Sequence, residues 1–213
     1  MSDLQRTPEW HQARVGKATA SRMSDVCART KTGYGAQRED YLWELVGERR
    51  TNSPNMERYV SPSMRIGTER EPAGLALYAL EAIEDIQEVG FVDHPRIKMS
   101  GASPDRLVGT QGLAEIKCPK LKEHYRMVLG GNIQGGYMKQ VQWQLACHPG
   151  RMWCDWISFH PAPPPQEQLV IIRVQRDDAM IAELEKEVIA FLGDVDTAMN
   201  ALDRRLMVRE AAE

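Results

Sequence analysis

The sequence predicts an α/β fold, an α+β mixed sheet flanked by helices, in a single domain over residues 1–213. Three observations predict it. Helical patterns come first, short apolar strands with turn signals follow, and a helix pair, two further strands and one long helix close the chain. Elements in that order place a mixed sheet between helical layers.

Helices are predicted over 8–14, 20–28, 37–50 and 64–82. Thr7 is the N-cap of the first, and Pro8 takes its first turn, where a missing N–H costs nothing. The fourth carries Met64, Gly67, Gly74, Leu75 and Tyr78 on one stripe, and Glu71 falls on that stripe rather than opposite it. A carboxylate facing a core needs a partner. Pro72 leaves a second possibility, since proline kinks a helix interior: a helix could start there, with Glu71 solvated at its positive dipole end. Strands are predicted at 86–92, 97–100, 106–108 and 113–117, helices at 120–129 and 137–147, strands at 152–159 and 169–174, and the closing helix at 177–207. The proline cluster over 161–165 ends one strand before the next begins.

No Gly/Ser-rich or proline-rich linker separates two cores, and there is no internal repeat. Asp3 lies close to Met1 and no apolar run approaches about 18 residues, so neither a signal peptide nor a membrane span is expected. A cytoplasmic location is expected. Cys27, Cys118, Cys147 and Cys154 show no CxxC pairing and read as buried thiols. His11, His94, His124, His148 and His160 show no ligand spacing and read as structural or surface groups. Trp10, Trp143, Trp153 and Trp156 read as core, although one near an entrance could stack on a planar ligand.

The net charge of −3 does not advertise a polyanion partner, because proteins that bind phosphates gain affinity when their basic groups displace the phosphates' counterions into solution. The distribution is uneven. Arg6, Arg14, Lys17, Arg22, Arg29, Lys31 and Arg38 enrich the first forty residues, whereas the closing helix carries Asp177, Asp178, Glu183, Glu185 and Glu187. An anionic polymer would meet the N-terminal face.

The stretch that carries chemistry is Ser103-Pro104-Asp105, a turn signal from Gly109 to Gly112, then Glu115-Ile116-Lys117. Flanking Leu107, Val108, Leu113 and Ala114 make it a β-hairpin. Alternation points Glu115 and Lys117 to one face and Ile116 to the other, and the returning register brings Asp105 diagonally close to Glu115. Two acids and a base converge. A hard divalent cation such as Mg²⁺ takes oxygen ligands, usually one or two carboxylates with water and phosphate oxygens. Asp105, Glu115 and the Ile116 backbone carbonyl can supply them. Lys117 would orient or deprotonate a water; with a reference pKa of about 10.4 it does the second only if its pKa is lowered. The alternative is a hairpin salt bridge that stabilises the sheet.

Further motifs lie in order along the chain: Trp10-His11-Gln12-Ala13-Arg14, Thr19-Ala20-Ser21, Gly67 followed by Glu71, Lys117-Cys118-Pro119, Leu129-Gly130-Gly131, and Tyr137-Met138-Lys139-Gln140-Val141-Gln142. With the hairpin, these resemble the phage lambda exonuclease, or YqaJ-type viral recombinase, branch of the PD-(D/E)XK nucleases. The resemblance runs from Trp10 to Gln142 and more loosely to the C-terminus. It implies a restriction-endonuclease-like core with N-terminal helices and a long C-terminal helix.

The resemblance also implies a Mg²⁺-dependent 5′→3′ exonuclease, with Mn²⁺ as a substitute, that acts on double-stranded DNA ends and leaves 3′ overhangs for recombination. It implies Asp105, Glu115, Lys117, Glu71 and Gln140 as catalytic residues, with Asp105, Glu115, the Ile116 carbonyl and Glu71 at the metal. Arg14 and Ser21 would hold a 5′-phosphate; taken alone, they are a surface cation and a helix cap. A further phosphate-pocket lysine of the family has no counterpart, since its place falls near Pro62. Gln140 borders the site in this comparison and would otherwise be an exposed amide. The implied partners are a single-strand annealing protein and two further copies in a ring-shaped homotrimer, encoded by a phage or prophage in a bacterial host. A structure-specific or restriction-like endonuclease on the same core, or a non-catalytic DNA-binding module, are the other readings.

Overall fold

In the computed structural model, which describes residues 4–55 and 61–210, helix α1 (Pro8–Ala13) opens on Thr7, whose hydroxyl accepts the Trp10 N–H at 3.1 Å. Strand β1 (Ala18–Thr19), a 3₁₀ turn (Ala20–Arg22), α2 (Met23–Val26), α3 (Ala36–Thr51) and α4 (Pro62–Glu81) follow. Then come β2 (Ile86–Gln87), β3 (Val92–Asp93), β4 (Ser100–Ala102), β5 (Arg106–Val108), β6 (Gly112–Lys117), α5 (Leu121–Val128) and α6 (Gly135–Cys147). Strands β7 (Trp153–Phe159) and β8 (Leu169–Gln175) precede α7 (Asp178–Glu210).

The main sheet has the order β2-β5-β6-β7-β8, with β6 and β7 parallel and the other pairs antiparallel. A smaller sheet has the order β1-β4-β3. Alternation along β6 sorts the layers. Ala114 and Ile116 join Tyr78 of α4 in one apolar cluster with Ile157 and Phe159 of β7. Leu113 faces the other way, into the core that α6 and α7 complete with Val141, Trp143, Val188 and Phe191. The mixed sheet between helices is therefore present as expected, and Trp143, Trp153 and Trp156 are buried in it.

Three expectations are corrected. The predicted strand over 86–92 is two strands in different sheets: β2 pairs with β5, and β3 pairs with β4. Period-two apolarity marks extended backbone but does not name its partner. The predicted helix over 20–28 begins as a 3₁₀ turn, because the Met23 N–H bonds to Ala20 O and tightens the first turn. A strand expected over 97–100 is displaced to β4, and β1 forms beside it. Pro72 does not start a helix. Ser61 caps α4 by accepting the Met64 N–H at 3.2 Å, and the helix runs through Pro72.

Much of the N-terminal basic charge is compensated inside the fold. Arg22 and Arg38 are buried; Arg22 meets Asp25 and Glu44, and Arg38 meets Asp194 of α7. Arg29 pairs with Glu187 and Lys17 with Asp93. Counting charges along a sequence does not reveal such pairing. All four cysteines are free thiols, Cys147 and Cys154 buried, Cys27 and Cys118 partly so. No described helix is long and apolar enough to cross a membrane.

Candidate active site

The β5–β6 hairpin fixes the first acid. The Asp105 N–H donates to Ala114 O at 3.0 Å, and Asp105 Oδ2 accepts the Ile116 N–H at 2.7 Å. A strand residue that turns its N–H to one neighbour turns its carbonyl the same way. The last β5 pair is Arg106 with Ala114, so the Ile116 carbonyl emerges beside Asp105 beyond the paired register. Glu115 is buried on the face opposite the Ile116 side chain, toward α6 and within reach of Asp105. Its Oε1 accepts Lys117 Nζ at 2.5 Å and Gln140 Nε2 at 2.6 Å, and its Oε2 accepts Gln144 Nε2 at 2.6 Å.

Electrostatics follows from this crowding. Desolvation, then the nearby Glu115 charge, pushes the Asp105 carboxyl well above its ordinary range. Burial pulls Lys117 down, but Glu115 and Asp105 together more than reverse it, so its net shift is upward. With those two carboxylates beside it, Lys117 is an ammonium at neutral pH. Its Nζ also lies 5.4 Å from the Tyr137 ring centre.

Glu71 is half-buried on α4, and Arg6 closes on its carboxylate. Burial pushes the Glu71 carboxyl up, and Arg6 draws it back. Glu71 and Lys117 line one cleft of about 900 Å³ with Arg70, Lys120 and His160. Among the described residues, no three His, Cys, Asp or Glu side chains are already gathered around one point, but the Glu71 carboxylate is felt by Asp105 and itself feels Glu115 and Lys117. Asp105, Glu115, the Ile116 carbonyl and Glu71 are the candidate oxygen ligands. That all-oxygen set suits a magnesium-like ion, which keeps several waters or phosphate oxygens.

Gln140 is buried against Glu115, which removes the exposed-amide alternative. Gln144 and Arg6 complete the site without having been singled out. Spacing of one helical turn from Gln140 could have found Gln144; nothing local could have found Arg6, which meets Glu71 across 65 positions. Arg14 stacks its guanidinium 4.1 Å from the Trp10 ring centre and reaches Ser103 Oγ at 3.5 Å. It lines a separate cleft of about 310 Å³ with Lys17 and Thr19. Ser21 is exposed in the 3₁₀ turn at the edge of that cleft, its hydroxyl 3.5 Å from the Oγ1 of Thr19, which lines it.

A mixed sheet with an acid before one strand and Glu-x-Lys at the end of the next defines the PD-(D/E)XK class of core. Residues 9–149 match the YqaJ-like viral recombinase domain, and the chain belongs to that family. The fold is similar to that of the alkaline exonuclease LHK-Exo from Laribacter hongkongensis, at 43% identity, TM-score 0.85, over 94% of this chain and 98% of that one. LHK-Exo in complex with dAMP gives the same identity and coverage with TM-score 0.86. A phage-related exonuclease from Haemophilus somnus 129PT shares the fold at 13% identity, TM-score 0.67, over 87% of this chain and 96% of that one. No protein of curated function matches the chain.

Proposed function

We propose that this chain is a Mg²⁺-dependent 5′→3′ exonuclease that degrades one strand of double-stranded DNA from its ends and leaves 3′ single-stranded overhangs for phage-type recombination. The observation that carries this reading is the convergence of Asp105, Glu115 and Lys117 with the Ile116 carbonyl at the end of one hairpin. The 43% identity to an alkaline exonuclease across nearly the whole chain supports it, as does that relative's complex with a nucleoside monophosphate.

Asp105, Glu115 and the Ile116 carbonyl, with Glu71 beside them, would hold Mg²⁺, with Mn²⁺ as substitute. When bound, such an ion polarises a phosphoryl oxygen and lowers the pKa of a bound water. Lys117, charged and fixed by Glu115, orients the attacking water and offsets the negative charge that builds on the phosphate. Gln140 and Gln144 keep Glu115 from rotating. Glu71 shapes the wall of the same cleft, and Arg14 with Ser21 would receive a 5′-phosphate, the guanidinium as a forked donor. Within this reading the enzyme works as a ring-shaped homotrimer beside a single-strand annealing protein, in the cytoplasm of a bacterium carrying the phage or prophage. A ring would let a chain of net charge −3 keep hold of duplex DNA.

The test is digestion of a linear duplex, labelled at either 5′ or 3′ ends, beside a nicked circle, with Mg²⁺ and with chelator. Mononucleotides released first from 5′ ends, only with metal, support the reading. Cutting of the circle would replace it by an endonuclease, and metal-independent binding without cutting by a DNA-binding module. For Arg14→Ala, a loss confined to 5′-phosphorylated ends is expected; equal loss on hydroxyl ends removes the pocket.

A further inference from the structure

Arg70 lies one residue before Glu71 on α4 and lines the same cleft as Lys117. Its partner is unusual. Arg22, Arg38 and Arg176 meet carboxylates, and the half-buried Arg151 donates to the Val108, Gly109 and Gly112 carbonyls. Arg70 Nη1 instead lies 2.9 Å from Nε2 of His160, a buried imidazole at the end of β7. A guanidinium only donates, so Nε2 is the acceptor and the ring is neutral in this contact. Burial, then Arg70 itself, lowers the His160 pKa, which agrees with that assignment.

The imidazole is held in turn. His124 stands 6.1 Å away, ring centre to ring centre, fixed between Ser158 Oγ at 2.8 Å and Glu167 O at 2.7 Å. His160 therefore aims Arg70 without neutralising it. A guanidinium has five N–H donors, and among the described residues Arg70 places one of them on protein. Lys120 lines the same wall and adds a second charge. A half-buried, pre-aimed fork with no carboxylate partner among the described residues, beside the hydrolytic hairpin, matches a phosphodiester oxygen pair.

We propose that Arg70, aimed by His160 and flanked by Lys120, is a backbone-phosphate site that grips the DNA strand next to the linkage being cut. This rests on the nuclease reading above, and it adds a contact separate from the Arg14 cleft. The site reads charge and not sequence.

The experiment is equilibrium binding of the full chain to a fluorescent duplex in chelator, across a salt series, for wild type, Arg70→Ala, Arg70→Gln and Arg70→Lys. Arg70→Ala is expected to weaken binding by about tenfold to hundredfold and to reduce the slope of log K against log salt by about one. Arg70→Gln gives the same loss of slope should the alanine variant melt early. Arg70→Lys keeps the slope, because the charge remains, and binds less tightly, because the fork is gone. An unchanged slope in both neutral variants, with wild type binding and degrading duplex normally, overturns the phosphate site and leaves the nuclease reading standing. Wild type that neither binds nor degrades duplex overturns both.

Discussion

Gln144 Nε2 donates to Glu115 Oε2 at 2.6 Å, while Gln140, one turn earlier on α6, donates to Oε1 at the same distance. Glu115 is thus oriented from the helix side before anything enters the cleft. Groups that orient a metal-binding carboxylate typically contribute tenfold to hundredfold in affinity or rate. Gln144→Leu keeps the volume and removes the donor. It should lower kcat by about that factor and raise the Mg²⁺ concentration needed for half-maximal rate. An unchanged Mg²⁺ requirement in both the Gln140→Leu and Gln144→Leu variants would show that Glu115 needs no such support.

Arg6 reaches Glu71 from a segment that Gln5 pins down, its amide donating to Pro104 O at 2.7 Å and Val89 O at 3.2 Å. Pro104 directly precedes Asp105, so one short segment ties two acids of the site together. Arg6 favours the ionised form of Glu71 against the burial that disfavours it. Without Arg6 the Glu71 pKa rises further, so the acid limb of the rate profile should move to higher pH in Arg6→Ala. Arg6→Lys should move it back part of the way. A limb that stays put in Arg6→Ala would mean that turnover does not need the Glu71 charge.

The site was legible in sequence where chemistry and spacing are local. Asp105, Glu115 and Lys117 lie on one hairpin, so strand alternation alone brings them close. Gln140 was legible only through family likeness, because nothing in α6 itself says which buried residue it meets. Gln144 lies one helical turn from Gln140 and could have been read from that spacing, whereas Arg6 was not legible because it meets Glu71 across 65 positions. The same reason explains the sheet errors. Extended backbone at 86–92 was visible, whereas its division between two sheets depends on partners at β4 and β5.

His94, buried, and His148, half-buried, set a pH dependence of stability. Desolvation lowers the pKa of both His94 and His148. His94 is packed 4.9 Å from the Trp143 ring centre, and its Nδ1 accepts the Ile97 N–H at 3.1 Å. An unfolded chain takes up these protons near pH 6.5, whereas the folded chain resists. Stability is therefore complete above about pH 6.5 and falls as pH drops below it. Urea midpoints measured from about pH 8 down to about pH 5 should fall more steeply for wild type than for His94→Gln. Parallel curves would show that His94 is protonated equally in both states.

Gly74 decides how closely α4 approaches the sheet. A Cβ there would stand 2.4 Å from Ile116 Cδ1 and 2.7 Å from Phe159 Cγ, both too near for a real contact. Alanine would improve helix propensity by about 1 kcal/mol. Overpacking a close-packed core costs about 1–3 kcal/mol, so the net effect is destabilising. Because α4 also carries Arg70 and Glu71, lifting it should lower activity along with the melting temperature. Gly193, inside α7, has nothing within 4 Å of the same position, and Gly193→Ala should stabilise instead. The decisive variant is Gly74→Ala with Ile116→Val, which removes the clashing Cδ1. Recovery of both melting temperature and rate in the double variant attributes the damage to that one contact; recovery of neither would place it at Phe159.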